Sequence, residues 1–333
     1  MINMNLQDVV TNMVDNIQQD ENHIIHLDII LSGGAFNAIY LVGCLYFLRE
    51  MQNKNKIAIH RISSCSASSF VALLYLTNHV ELFQEKIYEI VVESFKTNKK
   101  FIFTEPILTN IFEIIETALY EKGNVTESDI IRLVNYKLYI TYFDVKRCKR
   151  IVKRKYKSLH DIFETIKKSC YIPFITMDDM LYKNRYMDGW QPYIFKTHDQ
   201  GSMNNNNNNQ IIKKQLFIDL LGKDKIKDSI VLKNNKNSTH KIINGILDTY
   251  YFFYNKGIRE TAMCSFFNNQ SMTSYIKFLS IYFFSYLLCI FIYLYAFFFK
   301  IPSSDLFNLD IFKRIIKFLK KLVYKLIDHL IFE

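Results

Sequence analysis

The sequence lacks the cysteine patterns that identify a zinc module or a disulfide-stabilised domain. Its six cysteines lie far apart, and no two of them form a C-x-x-C pair. This spacing argues against both classes of protein, so we expect reduced and mostly packed thiols. We predict no metal ion and no cofactor for this chain.

Nucleotide-binding loops are also absent. The paired glycines Gly33 and Gly34 are not followed by the Gly-Lys-Ser/Thr of a Walker loop, and they lack the G-x-G-x-x-G spacing of a dinucleotide site. The leader at 1–22 has no apolar core of the kind found in signal peptides, and its apolar residues lie near helical spacing. We therefore expect the leader to pack against a domain that stays in the cytoplasm.

One long stretch lacks charge altogether. Residues 278–299 contain no Asp, Glu, Lys or Arg and are almost entirely apolar. Because about twenty such residues span the hydrocarbon core of a bilayer, we predict a transmembrane helix there, either as a single pass or as part of a hairpin anchor.

Positive charge exceeds negative charge by ten over the whole chain. Residues 300–333 contribute to this excess as a basic tail with its apolar residues on one helical face, a pattern typical of helices that lie on anionic membranes. We therefore interpret the membrane as a partner, and we find no nucleic-acid-binding module.

Between the leader and the membrane segment the chain divides into three predicted regions. Strand and helix patterns alternate over residues 23–199, which predicts an α/β domain with a central, mostly parallel sheet. Residues 200–238 are rich in Asn and Lys and are predicted to form a disordered insertion. Residues 239–277 are predicted to be helical.

The first strand-turn-helix unit of this domain carries the paired glycines. An apolar strand at 23–31 runs into Gly33 and Gly34, and a helical run follows at 39–50. Paired glycines let backbone N–H groups point into a pocket without obstruction by Cβ atoms, which suits a phosphate or an oxyanion.

The second unit places a serine at a strand-to-helix turn. The strand pattern at 57–62 and the helical pattern at 67–76 leave Ser66 at the junction. A nucleophilic serine is found at such an elbow, because the turn exposes its hydroxyl and the helix N-terminus favours an oxyanion. Ser64 and Ser68 occupy the two positions where the G-x-S-x-G pattern has glycine.

A third motif closes the domain. The segment 169–174 contains a Ser-x-x-Ile-Pro element, and a hairpin with its turn at Lys183 and Asn184 leads to Asp188 and Gly189. In this order, the glycine turn, the serine elbow and the Asp-Gly pair resemble the patatin-like phospholipase family.

The resemblance covers about half of the chain and implies a three-layer α/β fold with a Ser-Asp dyad. Ser66 would be the nucleophile and Asp188 the base, lipid esters would be the substrates, and no metal would be needed. The amides of the oxyanion hole would come from Gly33, Gly34, Ala35 and Ala67. The chain departs from the family pattern where Ala35 and Ala38 replace loop glycines, Asn37 replaces a basic loop residue, and Trp190 replaces a small residue.

Three alternatives follow from the same residues. A Ser-His-Asp site could use His198 or His240. A catalytically inactive protein of the same fold could bind lipid or act as a scaffold, because the departures add Cβ atoms where the backbone must approach a substrate. The C-terminal region could instead remodel membranes, with the preceding domain incidental to that role.

Overall fold

The structure is a computed structural model that describes residues 4–18, 24–34, 37–98, 105–121, 125–172, 181–195, 213–220 and 238–267. Within these ranges the chain has an α/β fold around one mixed sheet, so the predicted fold class is confirmed at this level.

The sheet has a parallel centre with antiparallel additions. Its strands are β1 Ile25–Leu31, β2 Ile57–Cys65, β3 Leu138–Asp144, β4 Lys149–Lys153, β5 Tyr186–Asp188, β6 Lys214–Ile218 and β7 Cys264–Phe266. They lie in the order β4-β3-β2-β1-β6-β7, with β5 paired to β3. Strands β3, β2, β1 and β6 run parallel, so their carboxyl ends meet at one edge, where ligands bind in α/β proteins.

Helices occupy most of the connections between the strands. They are α1 Met4–Asp15, α2 Ala38–Asn53, α3 Ser68–Leu76, α4 Tyr88–Asn98, α5 Glu105–Glu121, α6 Glu127–Val134, α7 Leu159–Ser169 and α8 Ser238–Tyr254. The starts of α6 and α7 follow from local sequence, because Thr126 forms a capping box with Asp129 and the Ser158 hydroxyl accepts a hydrogen bond from the Asp161 N–H.

Side chains of β1 point alternately to the two faces of the sheet and pack in two different clusters. Leu27, Ile29 and Leu31 belong to the main core, which they share with the helices. Ile30 points the other way and packs with Tyr139 and Phe195. A strand that is buried on both faces needs apolar residues at nearly every position, which explains the continuous apolar run in its sequence.

Helices α2 and α8 approach each other closely through two glycines. A Cβ atom on Gly43 would lie 2.0 Å from the carbonyl oxygen of Ile242, and one on Gly245 would lie 2.3 Å from that of Tyr40. This contact fixes α8 against the helix that follows the glycine turn.

Two predicted regions differ from the structure. Strand β6 lies inside the interval 200–238, which we predicted to be disordered, and β7 lies inside 239–277, which we predicted to be helical. The short apolar run at 216–218 is stabilised by pairing with β1, which belongs to a distant part of the sequence. The α/β unit therefore continues well past residue 199.

None of the helices in the described ranges is long and apolar enough to cross a membrane. The predicted transmembrane segment 278–299 and the basic tail 300–333 lie outside the described residues.

Candidate active site

Ser66 lies at a tight turn between β2 and α3, at the carboxyl edge of the sheet. Its φ angle is 57°, in the left-handed region that L-residues seldom adopt. The Ser66 carbonyl accepts a hydrogen bond from the Ser69 N–H at 2.9 Å, which begins the helical turn. A strained residue at the start of a helix matches the geometry of a nucleophile elbow.

The serines that replace the elbow glycines are accommodated by hydrogen bonds. The buried Ser68 hydroxyl donates to the carbonyl oxygen of Cys65 at 2.7 Å and accepts from the Cys65 N–H at 3.2 Å. The buried Ser64 hydroxyl donates to the Tyr139 carbonyl oxygen at 3.4 Å. Neither serine has a positive φ angle, so this turn forms without glycine at either position.

Asp188 lies at the end of β5 and faces Ser66. Its carboxyl group accepts a hydrogen bond from the Trp190 N–H at 2.7 Å, and the Ser66 side chain lies close enough to lower its pKa. Burial raises the pKa of Asp188 to about 7, although the Ser66 side chain and the Trp190 N–H both act in the opposite direction. The two predicted catalytic residues are therefore brought together without an intervening histidine.

An ion pair beside the site holds the hairpin that carries Asp188. The guanidinium of Arg185 donates to both carboxylate oxygens of Asp144, at distances between 2.7 and 3.0 Å. Burial by itself would raise the pKa of Asp144, but the hydrogen bonds from Arg185 and from the Arg147 N–H outweigh it and lower that pKa. The hairpin turn lies at Lys183 and Asn184 as predicted, and both residues have positive φ angles.

Trp190 shows why a small residue suits the position after Gly189. Its φ angle is 60°, so a side chain there carries backbone strain. Gly189 itself has no room for a side chain, because a Cβ atom would lie 2.6 Å from the Thr141 carbonyl oxygen.

The glycine turn borders Ser66. A Cβ atom on Gly33 would lie 3.1 Å from the Cβ atom of Ser66, and one on Gly34 would lie 2.5 Å from the Cβ atom of Leu220. Ala67 is the residue before α3 and is half-buried, whereas Ala35 lies outside the described residues. Gly33 is thus close to Ser66 in space, and Ala67 is next to it in sequence.

Ser169 supports the elbow from α7, a role that the sequence did not predict. Its hydroxyl accepts a hydrogen bond from the Ser66 N–H at 2.8 Å and donates one to the Thr141 carbonyl oxygen at 2.7 Å. The Ser66 amide is therefore already hydrogen-bonded within the protein. The Ser-x-x-Ile-Pro element was the sequence signal at this position.

Other candidate nucleophiles and bases do not form a comparable pair in the described residues. Burial and the nearby Asp188 raise the pKa values of Cys65 and Cys170 well above the usual range, which keeps both thiols protonated. The ring of His240 makes a hydrogen bond of 3.3 Å with Asn244 on the exposed surface of α8, and His198 lies outside the described residues.

Within the described ranges, no group of three or more His, Cys, Asp or Glu side chains could hold a metal ion. A cavity of about 460 Å³ lies near the end of α3, lined by residues that include Thr77, His79 and Arg132. Its lining contains neither Ser66 nor Asp188, so we do not place the substrate there.

Comparison of the chain with protein-family models and with curated proteins finds no match.

Proposed function

We propose that this chain is a lipid acyl hydrolase that cleaves fatty-acyl esters of phospholipid or neutral lipid through a Ser66–Asp188 dyad. The observation that carries the proposal is that Ser66, a residue in a strained turn, lies beside the buried carboxyl group of Asp188 and lowers its pKa. The patatin-like resemblance supports the proposal, and it extends the described α/β sheet to a three-layer fold.

The proposed reaction has two steps. Asp188 takes the hydroxyl proton of Ser66 as the serine oxygen bonds to the ester carbonyl carbon, and that proton then passes to the departing alcohol. The amides of Gly34, Ala35 and Ala67 stabilise the negative carbonyl oxygen in the tetrahedral intermediate. Water then attacks the acyl-serine with Asp188 as base, which releases the fatty acid and returns the proton to Ser66.

The proposal places this chemistry at a membrane. The apolar segment 278–299 would anchor the protein, the basic tail 300–333 would bind anionic lipid, and the domain with Ser66 would lie in the cytoplasm. Anchoring would hold the site close to an insoluble substrate.

Fluorophosphonate labelling of the detergent-solubilised full-length protein tests the proposal. We expect wild type to be labelled, and we expect the variants Ser66→Ala and Asp188→Asn to lose labelling while they remain folded. Ser128→Ala, which changes an exposed serine on α6, is the matched control and should label as wild type does.

Acyl release from mixed phospholipid and triacylglycerol emulsions would then define the lipid class. A folded wild-type protein that neither labels nor releases fatty acid would overturn the hydrolase proposal. The inactive lipid-binding or scaffold alternative would then account for the retained site.

A further inference from the structure

A buried lysine from α8 lies beside the first residues of α2, which follow the glycine turn. Lys241 is only 5% exposed, and its Nζ lies 3.4 Å from the Oδ1 atom of Asn37 and 5.5 Å from the centre of the Tyr40 ring. Burial of an amino group is costly unless polar or aromatic partners compensate for the lost water. Both of these partners belong to the start of α2, directly after the turn.

Asn37 connects Lys241 to the turn. The Asn37 N–H donates to the Gly34 carbonyl oxygen at 2.7 Å, and its side-chain NH₂ donates to the Leu220 carbonyl oxygen at 3.2 Å. With its Oδ1 accepting from Lys241, this one buried residue joins the turn, the end of β6 and α8.

Leu220 also contacts the glycine turn, through a hydrogen bond and through its side chain. The Leu220 N–H donates to the Ser32 hydroxyl at 2.6 Å, and the Leu220 side chain fills the space next to Gly34. The position of Gly34 is thus determined by contacts with Asn37 and Leu220.

We propose that Lys241 is a positioning residue for the oxyanion loop, and that its positive charge helps to stabilise the oxyanion formed at that loop. This inference rests on the proposed function, because it assumes that Ser66 reacts with an ester. Lys241 acts through Asn37, because it contacts the side chain of this residue and the Asn37 N–H bonds to the Gly34 carbonyl oxygen. Its charge acts directly, through the interior of the protein, where electrostatic effects are stronger than in water.

The test separates the effect of the Lys241 charge from the effect of its hydrogen bond to Asn37. It uses the full-length, detergent-solubilised protein. Lys241→Arg keeps the charge, whereas Lys241→Gln keeps a hydrogen-bond donor for Asn37 but removes the charge. We expect Lys241→Gln to slow both fluorophosphonate labelling and kcat for a short-chain ester by about tenfold with little change in KM, since the lost interaction acts mainly in the transition state. Lys241→Arg should recover most of the rate.

Two controls accompany the comparison. Lys155→Gln removes a lysine from an exposed position and should label as wild type does. Thermal unfolding shows whether each variant is folded at the assay temperature, and Lys241→Met, which keeps the aliphatic part of the side chain, replaces the glutamine variant if that variant does not fold.

The outcomes separate this inference from the proposed function. If wild type is labelled and folded Lys241→Gln labels at the same rate, the role of the charge is overturned; if folded Lys241→Met also labels at that rate, the positioning role is overturned as well, and the hydrolase proposal stands. Equal losses in Lys241→Arg and Lys241→Gln would overturn the role of the charge, because both variants would then differ from wild type only in how they hold Asn37. Failure of wild type to label would overturn both.

Discussion

Ser66 shows a conflict between stability and function within a single residue. Its φ angle of 57° is costly for any residue with a Cβ atom, whereas glycine adopts it freely. A chain selected for stability alone would have glycine at this turn. Under the proposed function, the serine hydroxyl at this turn is the nucleophile.

We predict that Ser66→Gly is more stable than Ser66→Ala by about 0.5 to 1 kcal/mol, since relief of the left-handed strain exceeds the extra entropy that glycine has in the unfolded chain. Denaturant unfolding of the two variants, both unable to react with a fluorophosphonate, measures the difference. Equal stabilities would show that the turn relaxes when the hydroxyl is lost.

Asp188 determines the expected pH dependence. Burial raises its pKa to about 7, and only the deprotonated carboxylate can accept the Ser66 proton. We predict that the labelling rate increases about tenfold per pH unit below pH 7 and becomes constant above about pH 8. Stopped-time labelling between pH 5 and pH 9 provides the profile. A labelling rate with its midpoint near pH 4, the ordinary pKa of aspartate, would contradict this prediction.

At the scale of elements, the β5 hairpin depends on one ion pair across the sheet edge. Asp144 is 2% exposed, so loss of Arg185 would leave a buried carboxylate without its main partner. We predict that Arg185→Met lowers the melting temperature and slows labelling by about tenfold or more, because small displacements of a catalytic base are costly.

Arg132→Met is the matched control for this prediction. Arg132 also pairs with an aspartate, Asp129, but its side chain is 84% exposed, and exposed pairs contribute little. Thermal unfolding of both variants makes the comparison. A similar effect of the two substitutions would show that the hairpin is held by its strand pairing alone.

Elements with strong local signals were predicted correctly from sequence. Strands β1, β2 and β3, the serine turn and the hairpin turn follow from apolar runs and from the residues at their ends. Strand β6 has only a short apolar run between Asn- and Lys-rich segments, and its stability comes from pairing with β1, far away in sequence. Lys241 was missed for the same reason, since nothing local indicates that α8 packs on α2.

At the scale of the whole molecule, the proposed anchor and the proposed catalytic unit are separate in sequence. We predict that a protein without residues 278–333 no longer floats with liposomes and keeps fluorophosphonate labelling, because the described site uses no residue beyond Lys241. Flotation and labelling of the same preparation test both parts. Liposome binding that survives the truncation would mean that the α/β domain itself binds membranes.

The position of β6 has a consequence for the order in which the protein is synthesised. A growing chain on the ribosome already contains Ser66 and Asp188 when β6 has yet to be made, and β6 lies between β1 and β7 in the sheet. Leu220 and Lys241, which border the glycine turn, emerge still later. The proposed hydrolysis would therefore require a nascent chain that extends at least to Lys241, so a shorter nascent chain would be inactive.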